Sequence, residues 1–177
     1  VSGVPHVVLI GPPGAGKSRL GKKVARLLRV PFVDTDRRIV AAHGPIADIF
    51  TQRGEETFRR LEREEVAKAL QEEAVVSLGG GAVLNADTQA ELTKLRVALV
   101  TVSSEAVAVR IAGSHRPLLG GGEGDTLGVW SALVEARREI YERLATHTWD
   151  TSHRPIDGIA AEIADWTRGS AAKKEAL

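Results

Sequence analysis

Gly11-Pro12-Pro13-Gly14-Ala15-Gly16-Lys17-Ser18 follows the apolar run His6–Ile10 and opens a helical pattern at Ser18. The octapeptide matches G-x-x-x-x-G-K-[ST] at every defined position, and a strand before it with a helix after it is the setting this phosphate-binding loop requires. Its glycines let backbone amides turn inward on a β-phosphate. Lys17 brings a cation to the β- and γ-phosphates, Ser18 is placed to ligate Mg²⁺, and the helix N-terminus adds its positive end. The stretch predicts a loop that binds a nucleoside triphosphate.

Working outward, short β-branched runs alternate with longer helical patterns, the signature of a parallel sheet covered on both faces. Strands are expected at His6–Ile10, Pro31–Asp34, Val75–Leu78, Val97–Val102 and Thr148–Thr151. Helices are expected near Ser18–Leu28, Glu55–Glu73, Ala86–Leu95, Glu105–Ala112, Leu127–Ala145 and Ile156–Thr167. These predict a three-layer α/β/α fold around a central five-stranded parallel sheet. Phe58, Leu61, Val66, Ala69 and Leu70 mark one buried helix face, and Val129, Leu133, Ala136, Ile140 and Leu144 another, with Arg137 on its border. Between residues 112 and 127 five glycines and Pro117 interrupt all regular patterning, which predicts a flexible lid over about 113–126. The polar, alanine-rich tail 170–177 is expected to fray, leaving residues 1–169 as one domain.

Composition narrows the function. At 177 residues the chain is about one domain long, with 43% apolar and 27% charged residues, a globular balance. Lys and Arg number 24 against 23 Asp and Glu, a net charge of +1, so no global field draws in DNA or an acidic membrane. With 4% aromatic residues as well, nucleic-acid binding is not expected. No apolar run is long enough to span a bilayer and no export signal is apparent, so a cytoplasmic protein is expected. The absence of cysteine excludes disulfides, thiolate nucleophiles and Cys-ligated zinc, and the five histidines form no metal-binding pair.

A second set of residues has the chemistry of a small-acid pocket. Asp34-Thr35-Asp36 ends the second expected strand, at the edge where open α/β sheets bind ligands. The two carboxylates are expected to divide the work, Asp34 toward the metal through water and Asp36 toward a substrate hydroxyl, either taking its proton or only orienting it. Alternatively, both serve to cap a helix beginning at Arg37. Gly79-Gly80-Gly81 after the third strand is either a backbone open to close approach by a ligand or a flexible turn. Arg59, with Glu62 at i+3, is either a guanidinium held in place or an ordinary exposed ion pair. Arg137 borders a buried stripe, where arginine is rarely found without a partner. Two guanidinium forks, an aspartate and a glycine-rich backbone together suit a carboxylic acid bearing hydroxyls.

In order and type these motifs resemble the shikimate kinases, P-loop kinases of the nucleoside-monophosphate-kinase type. The likeness rests on Gly11–Ser18, Asp34-Thr35-Asp36, Ile46-Ala47-Asp48-Ile49-Phe50, Phe58-Arg59-Arg60-Leu61-Glu62, Gly79-Gly80-Gly81, Arg116-Pro117-Leu118-Leu119, and Arg137 four residues before Tyr141. It covers about residues 5 to 168. Val40 departs from it, standing where the family often carries an acidic residue.

The resemblance implies Mg²⁺-dependent transfer of the ATP γ-phosphate to the 3-hydroxyl of shikimate, in the pathway to chorismate and aromatic amino acids, by a monomer. Lys17, Asp36 and Arg116 would be catalytic, with Arg116 carried on the lid. Arg59 and Arg137 would clamp the carboxylate, Asp36 and the Gly79, Gly80 and Gly81 backbone would hold hydroxyls, and Phe50 and Phe58 would line a pocket within an acid-binding segment at about 36–62. Gly14, Ala15, Gly16, Lys17, Ser18, Arg19 and Arg116 would contact ATP, and Arg110, Arg154 and Pro155 would surround its adenine. Ser18 and, through water, Asp34 would hold Mg²⁺. Two other readings are a kinase for another hydroxy acid such as gluconate, and a non-catalytic nucleotide switch.

Overall fold

Along each central strand, successive side chains belong to different cores. In β1 (Val7–Ile10), Val7 and Leu9 join one buried cluster and Val8 and Ile10 another. Val75 and Val76 part in the same way in β3 (Val75–Ser77), as do Ala98 and Val100 from Val97 and Leu99 in β4 (Val97–Thr101). A strand apolar on both faces must be covered on both, which requires helices above and below. The computed structural model, which describes residues 3–112 and 126–175, has that architecture. With β2 (Phe32–Asp34) and β5 (His147–Asp150) the strands form one five-stranded parallel sheet in the order β2-β3-β1-β4-β5.

On one face pack α1 (Lys17–Leu28), α6 (Ser104–Ala112) and α8 (Ile156–Glu175), through Leu20, Val24, Val107, Ile159 and Ile163. On the other lie α4 (Glu55–Ala69) and α5 (Ala86–Leu92), through Val66, Ala69 and Leu92. Each fully buried Val, Leu or Ile contributes about 1.5–3 kcal/mol, so the sheet is held firmly between its two layers. A smaller cluster of Ile39, Ile49, Phe58 and Leu61 joins α2 (Thr35–His43) and α3 (Ile46–Arg53) to α4. Among the described residues no helix is long and apolar enough to cross a membrane.

α7 (Thr126–Leu144) serves both cores, Trp130 packing with the α1–α8 layer and Tyr141 and Leu144 with the α4–α5 layer. The expected stripe on this helix is displaced: Val129 is 57% exposed and Ala136 is exposed, whereas Trp130, Tyr141 and Leu144 are buried. Steps of four, three, four and three lead from Trp130 through Val134, Arg137 and Tyr141 to Leu144. Arg137 therefore lies in the seam, not on its border.

Two helices, α2 and α3, occupy a segment whose hydrophobic pattern shows neither, although the capping alternative for Asp34 and Asp36 allowed a helix from Arg37. Each buries few residues, Thr35 and Ile39 in α2 and Ile49 in α3, too few to show a 3.6-residue period. The last helix continues to Glu175, beyond the expected end at Thr167. The segment 113–125, with Arg116, lies outside the described residues.

Register sets the level at which loops leave the sheet. Leu9 and Asp34 both pair with Ser77, so the segments following β1, β2 and β3 emerge side by side at the carboxyl edge. β1 is flanked by β3 and β4, the point at which strand order reverses and where open α/β sheets bind ligands.

Candidate active site

The P-loop arches over the end of β1, and Lys17, only 8% exposed, turns its ammonium back into it. Nζ donates to the carbonyls of Gly11 (2.7 Å) and Pro12 (3.0 Å). Burial lowers the lysine pKa to about 8, against the raising effect of Asp36 and Asp34 nearby. The Ser18 hydroxyl donates to Asp34 Oδ2, while Asp34 Oδ1 accepts the Arg37 N–H at 3.1 Å. One carboxylate thus caps α2 and meets the P-loop serine, so the two readings of Asp34 are compatible. The segment is not extended through Asp36, where residues two apart would share one face: α2 begins at Thr35, and Asp36 lies in its first turn.

Hydroxyl and carboxylate oxygens are the donors Mg²⁺ prefers. Among the described residues no group of three or more His, Asp or Glu side chains could hold a metal by itself. A cation at Ser18 and Asp34 would need phosphate oxygens and waters to complete its shell, the usual way Mg²⁺ is bound beside a nucleotide.

The three glycines after β3 form a wall against which side chains from three helices lie. A Cβ at Gly79 would stand 2.5 Å from Asp36 Oδ1, one at Gly81 would stand 2.7 Å from Arg59 Nη2, and one at Gly80 would meet Arg137 Nη1 at 3.5 Å. Any side chain at 79 or 81 would displace the group beside it. Asp36, Arg59 and Arg137, on α2, α4 and α7, are thereby brought together.

Electrostatically the pocket is prepared for a ligand. Asp36 Oδ1 is buried and has no hydrogen-bond partner among the described residues. Burial pushes the Asp36 pKa up, the Asp34 carboxylate adds to this, and Lys17 and Arg59 oppose it. Arg59 Nη1 donates to Glu62 Oε1 at 2.7 Å, and Glu62 is 4% exposed. This is no exposed ion pair: a buried carboxylate fixes the guanidinium, and burial raises the Glu62 pKa against the pull of Arg59. The Phe58 ring lies under Arg59, 5.3 Å from Cζ to centroid, and packs against Phe50 at 4.8 Å. Phe58 is buried and Phe50 is 36% exposed.

One cleft of about 1510 Å³ joins these parts. Gly14 to Arg19, Asp34, Asp36, Phe50, Phe58, Arg59, Gly79 to Gly81, Arg110, Arg137 and Arg154 all line it. Pro155 is exposed and is not part of the lining. Arg154 pairs with Glu162, and Arg110 donates to the carbonyls of Gly14 (2.6 Å) and Thr151 (2.7 Å). Tyr141, which the sequence offered only as part of the likeness and without a role in the site, donates its hydroxyl to the Gly80 carbonyl at 2.6 Å. The only signal for it was its place one turn after Arg137. Val40, 40% exposed, also lines the cleft, with Ile46 and Ala47.

The shikimate kinase family model matches residues 13–168. A shikimate kinase of Thermobifida fusca is 45% identical over 167 residues, 93% of this chain and 95% of that protein. Another, of Corynebacterium efficiens, is 41% identical over 161 residues, 90% of this chain and 94% of that protein.

The chain belongs to the shikimate kinase family.

Solved shikimate kinases share its architecture. The Acinetobacter baumannii enzyme, in complex with shikimate, superposes with a TM-score of 0.84 at 28% identity over 94% of each chain. The shikimate kinase of Bacteroides thetaiotaomicron gives 0.81 at 31% identity over 93% of this chain and 98% of that one. A Sinorhizobium meliloti gluconokinase, at 18% identity and a TM-score of 0.57, shares the fold alone. As a member of the shikimate kinase family the protein is an ATP-dependent small-molecule kinase.

Proposed function

We propose that this cleft carries out the shikimate kinase reaction, in which the 3-hydroxyl of shikimate attacks the γ-phosphorus of ATP, the bond from that phosphorus to the ADP oxygen breaks, and shikimate 3-phosphate, ADP and the hydroxyl's proton are released. The observation that supports this reading best is the convergence of Asp36, Arg59 and Arg137 on the Gly79–Gly81 backbone, in the same cleft as Lys17. Arg59, held by Glu62 and lying beside Gly81, and Arg137, beside Gly80, offer two guanidinium forks to a carboxylate. Phe50 and Phe58 offer apolar surface to the ring.

Phosphoryl transfer asks a protein mainly for positioning and charge neutralisation. Asp36, with its unpartnered buried oxygen, accepts the hydrogen bond of the attacking hydroxyl and orients it. The P-loop amides of Gly14, Ala15 and Gly16 receive the phosphates, Lys17 leaves its carbonyl partners for the β- and γ-oxygens, and Arg19, Arg110 and Arg154 border the nucleotide. Ser18, and Asp34 through water, would hold Mg²⁺, which when bound offsets phosphate charge. Arg116, outside the described residues, is assigned to the same neutralisation by resemblance. Residues 1–169 act as one catalytic domain, read as a cytoplasmic monomer.

ADP release in a coupled assay with Mg²⁺-ATP and shikimate, gluconate or no acceptor tests the proposal. Shikimate alone should stimulate turnover, and Lys17→Ala should abolish it. Stimulation by gluconate instead, or by no acid, would overturn the assignment of the acid pocket.

A further inference from the structure

Three consecutive carbonyls of the P-loop are each held by a donor from a distant part of the chain. The Trp130 indole, on α7, donates to Pro13 O at 2.8 Å. The Arg110 guanidinium, on α6, donates to Gly14 O at 2.6 Å. The Thr151 hydroxyl, just past β5, donates to Ala15 O at 2.8 Å.

None of the peptide bonds here is cis, and in a planar trans peptide the carbonyl of one residue and the N–H of the next point in opposite directions. Holding these three carbonyls outward therefore turns the N–H groups of Gly14, Ala15 and Gly16 toward the inner side of the loop. There the Ala15 N–H makes a long contact of 3.3 Å with Pro12 O. Pro12 and Pro13 have no N–H to offer, so this loop has few amides for a phosphate and their direction matters the more.

The braces are themselves fixed. Trp130 is 2% and Thr151 5% exposed, so water cannot replace either donor. The Thr151 N–H bonds Thr101 O at 2.9 Å, extending the sheet, and its carbonyl receives Arg110 at 2.7 Å. Nη1 and Nη2 of Arg110 thus each donate to a backbone carbonyl, whatever its flat face does for a base.

We propose that Trp130 and Thr151, together with Arg110, are positioning residues that pre-set the P-loop amides for the phosphates of the nucleotide. Carbonyls already held by the protein's own donors leave the amides in the orientation binding requires, so little ordering cost remains to be met on association. The inference rests on the reading that this loop binds a nucleotide and is independent of which acid is phosphorylated.

Trp130→Phe and Thr151→Val each remove one donor while keeping most of the side-chain volume, and Thr151→Ser keeps the hydroxyl. Calorimetry with Mg²⁺-ADP should show affinity weakened roughly three- to tenfold in each of the first two variants and restored in Thr151→Ser. Shikimate KM should stay within twofold throughout. ADP affinity within twofold of wild type in both folded variants, or loss of ADP and shikimate binding in parallel with Tm, would overturn the proposal. The wild-type chain provides a reading that needs no variant: the carbonyl ¹³C shifts of Pro13 and Ala15 should be those of hydrogen-bonded groups before ADP is added and change little after. Large ADP-induced changes at both would contradict a pre-set loop. A wild-type protein that binds ADP but does not phosphorylate shikimate would sink the functional reading and leave this one standing.

Discussion

The guanidinium of Arg59 lies so close over the backbone of Gly81 that a Cβ at position 81 would stand 2.7 Å from Nη2. Two atoms cannot share that space, and the end of a long side chain yields more readily than a backbone held by β3 and Tyr141. Gly81→Ala should therefore move Arg59 and leave the fold intact. Steady-state kinetics are expected to show shikimate KM raised about tenfold or more, with ATP KM within twofold. An unchanged shikimate KM would mean that Arg59 does not meet the acid.

Removing either guanidinium should act on the same constant. Loss of a charge-assisted hydrogen bond costs about 1.5–3 kcal/mol, so Arg59→Ala and Arg137→Ala are each expected to raise shikimate KM by about 10- to 100-fold. Arg137→Lys should recover only part of this, since an ammonium cannot form a two-pronged contact. Wild-type KM in both alanine variants would place the carboxylate elsewhere.

Asp36 carries a cost that function explains. Its buried Oδ1 has no partner among the described residues, and burial with the neighbouring Asp34 charge raises its pKa. A carboxyl whose folded pKa lies above 3.8 binds more protons folded than unfolded, so its contribution to stability falls as pH rises from 3.8 through the folded pKa. Asp36→Asn, which removes that charge, should raise Tm at pH 7 and flatten this part of the stability profile. The same change should cut kcat by about two orders of magnitude or more and leave Mg²⁺-ADP affinity near wild type. Near-normal kcat would remove Asp36 from the chemistry.

Lys17, with a pKa of about 8 in the ligand-free protein, makes nucleotide affinity pH-dependent. Phosphate favours the ammonium form, so binding raises this pKa and takes up a proton above pH 8. ADP affinity should be flat with respect to Lys17 below about pH 8 and decline by up to tenfold per unit above it. Calorimetry in two buffers of different ionisation enthalpy at pH 8.5 would detect the proton uptake. Lys17→Met should bind more weakly and lose the dependence. A pH-independent affinity from 7 to 9.5 in the wild type would contradict a titrating Lys17.

What the sequence alone determined is what depends on neighbours along the chain. The P-loop was legible because strand, glycines, lysine and helix are contiguous, and the three central strands because both their faces are apolar. The Arg59–Glu62 pairing followed from helical spacing, although its burial did not. Segment 35–53 hid its two helices because they bury so few residues that no period shows. Tertiary structure decided everything that depends on which elements meet. Asp34 became both a helix cap and the partner of Ser18 because β2 ends beside the P-loop. Arg137 entered the cleft because α7 crosses from one core to the other, with Trp130 at one end and Tyr141 at the other. The three outward carbonyls of Pro13, Gly14 and Ala15 had no signature in the loop at all. Their partners stand about a hundred residues or more further along the chain, and only the packing of one helical layer at the sheet's carboxyl edge brings those donors within hydrogen-bond reach.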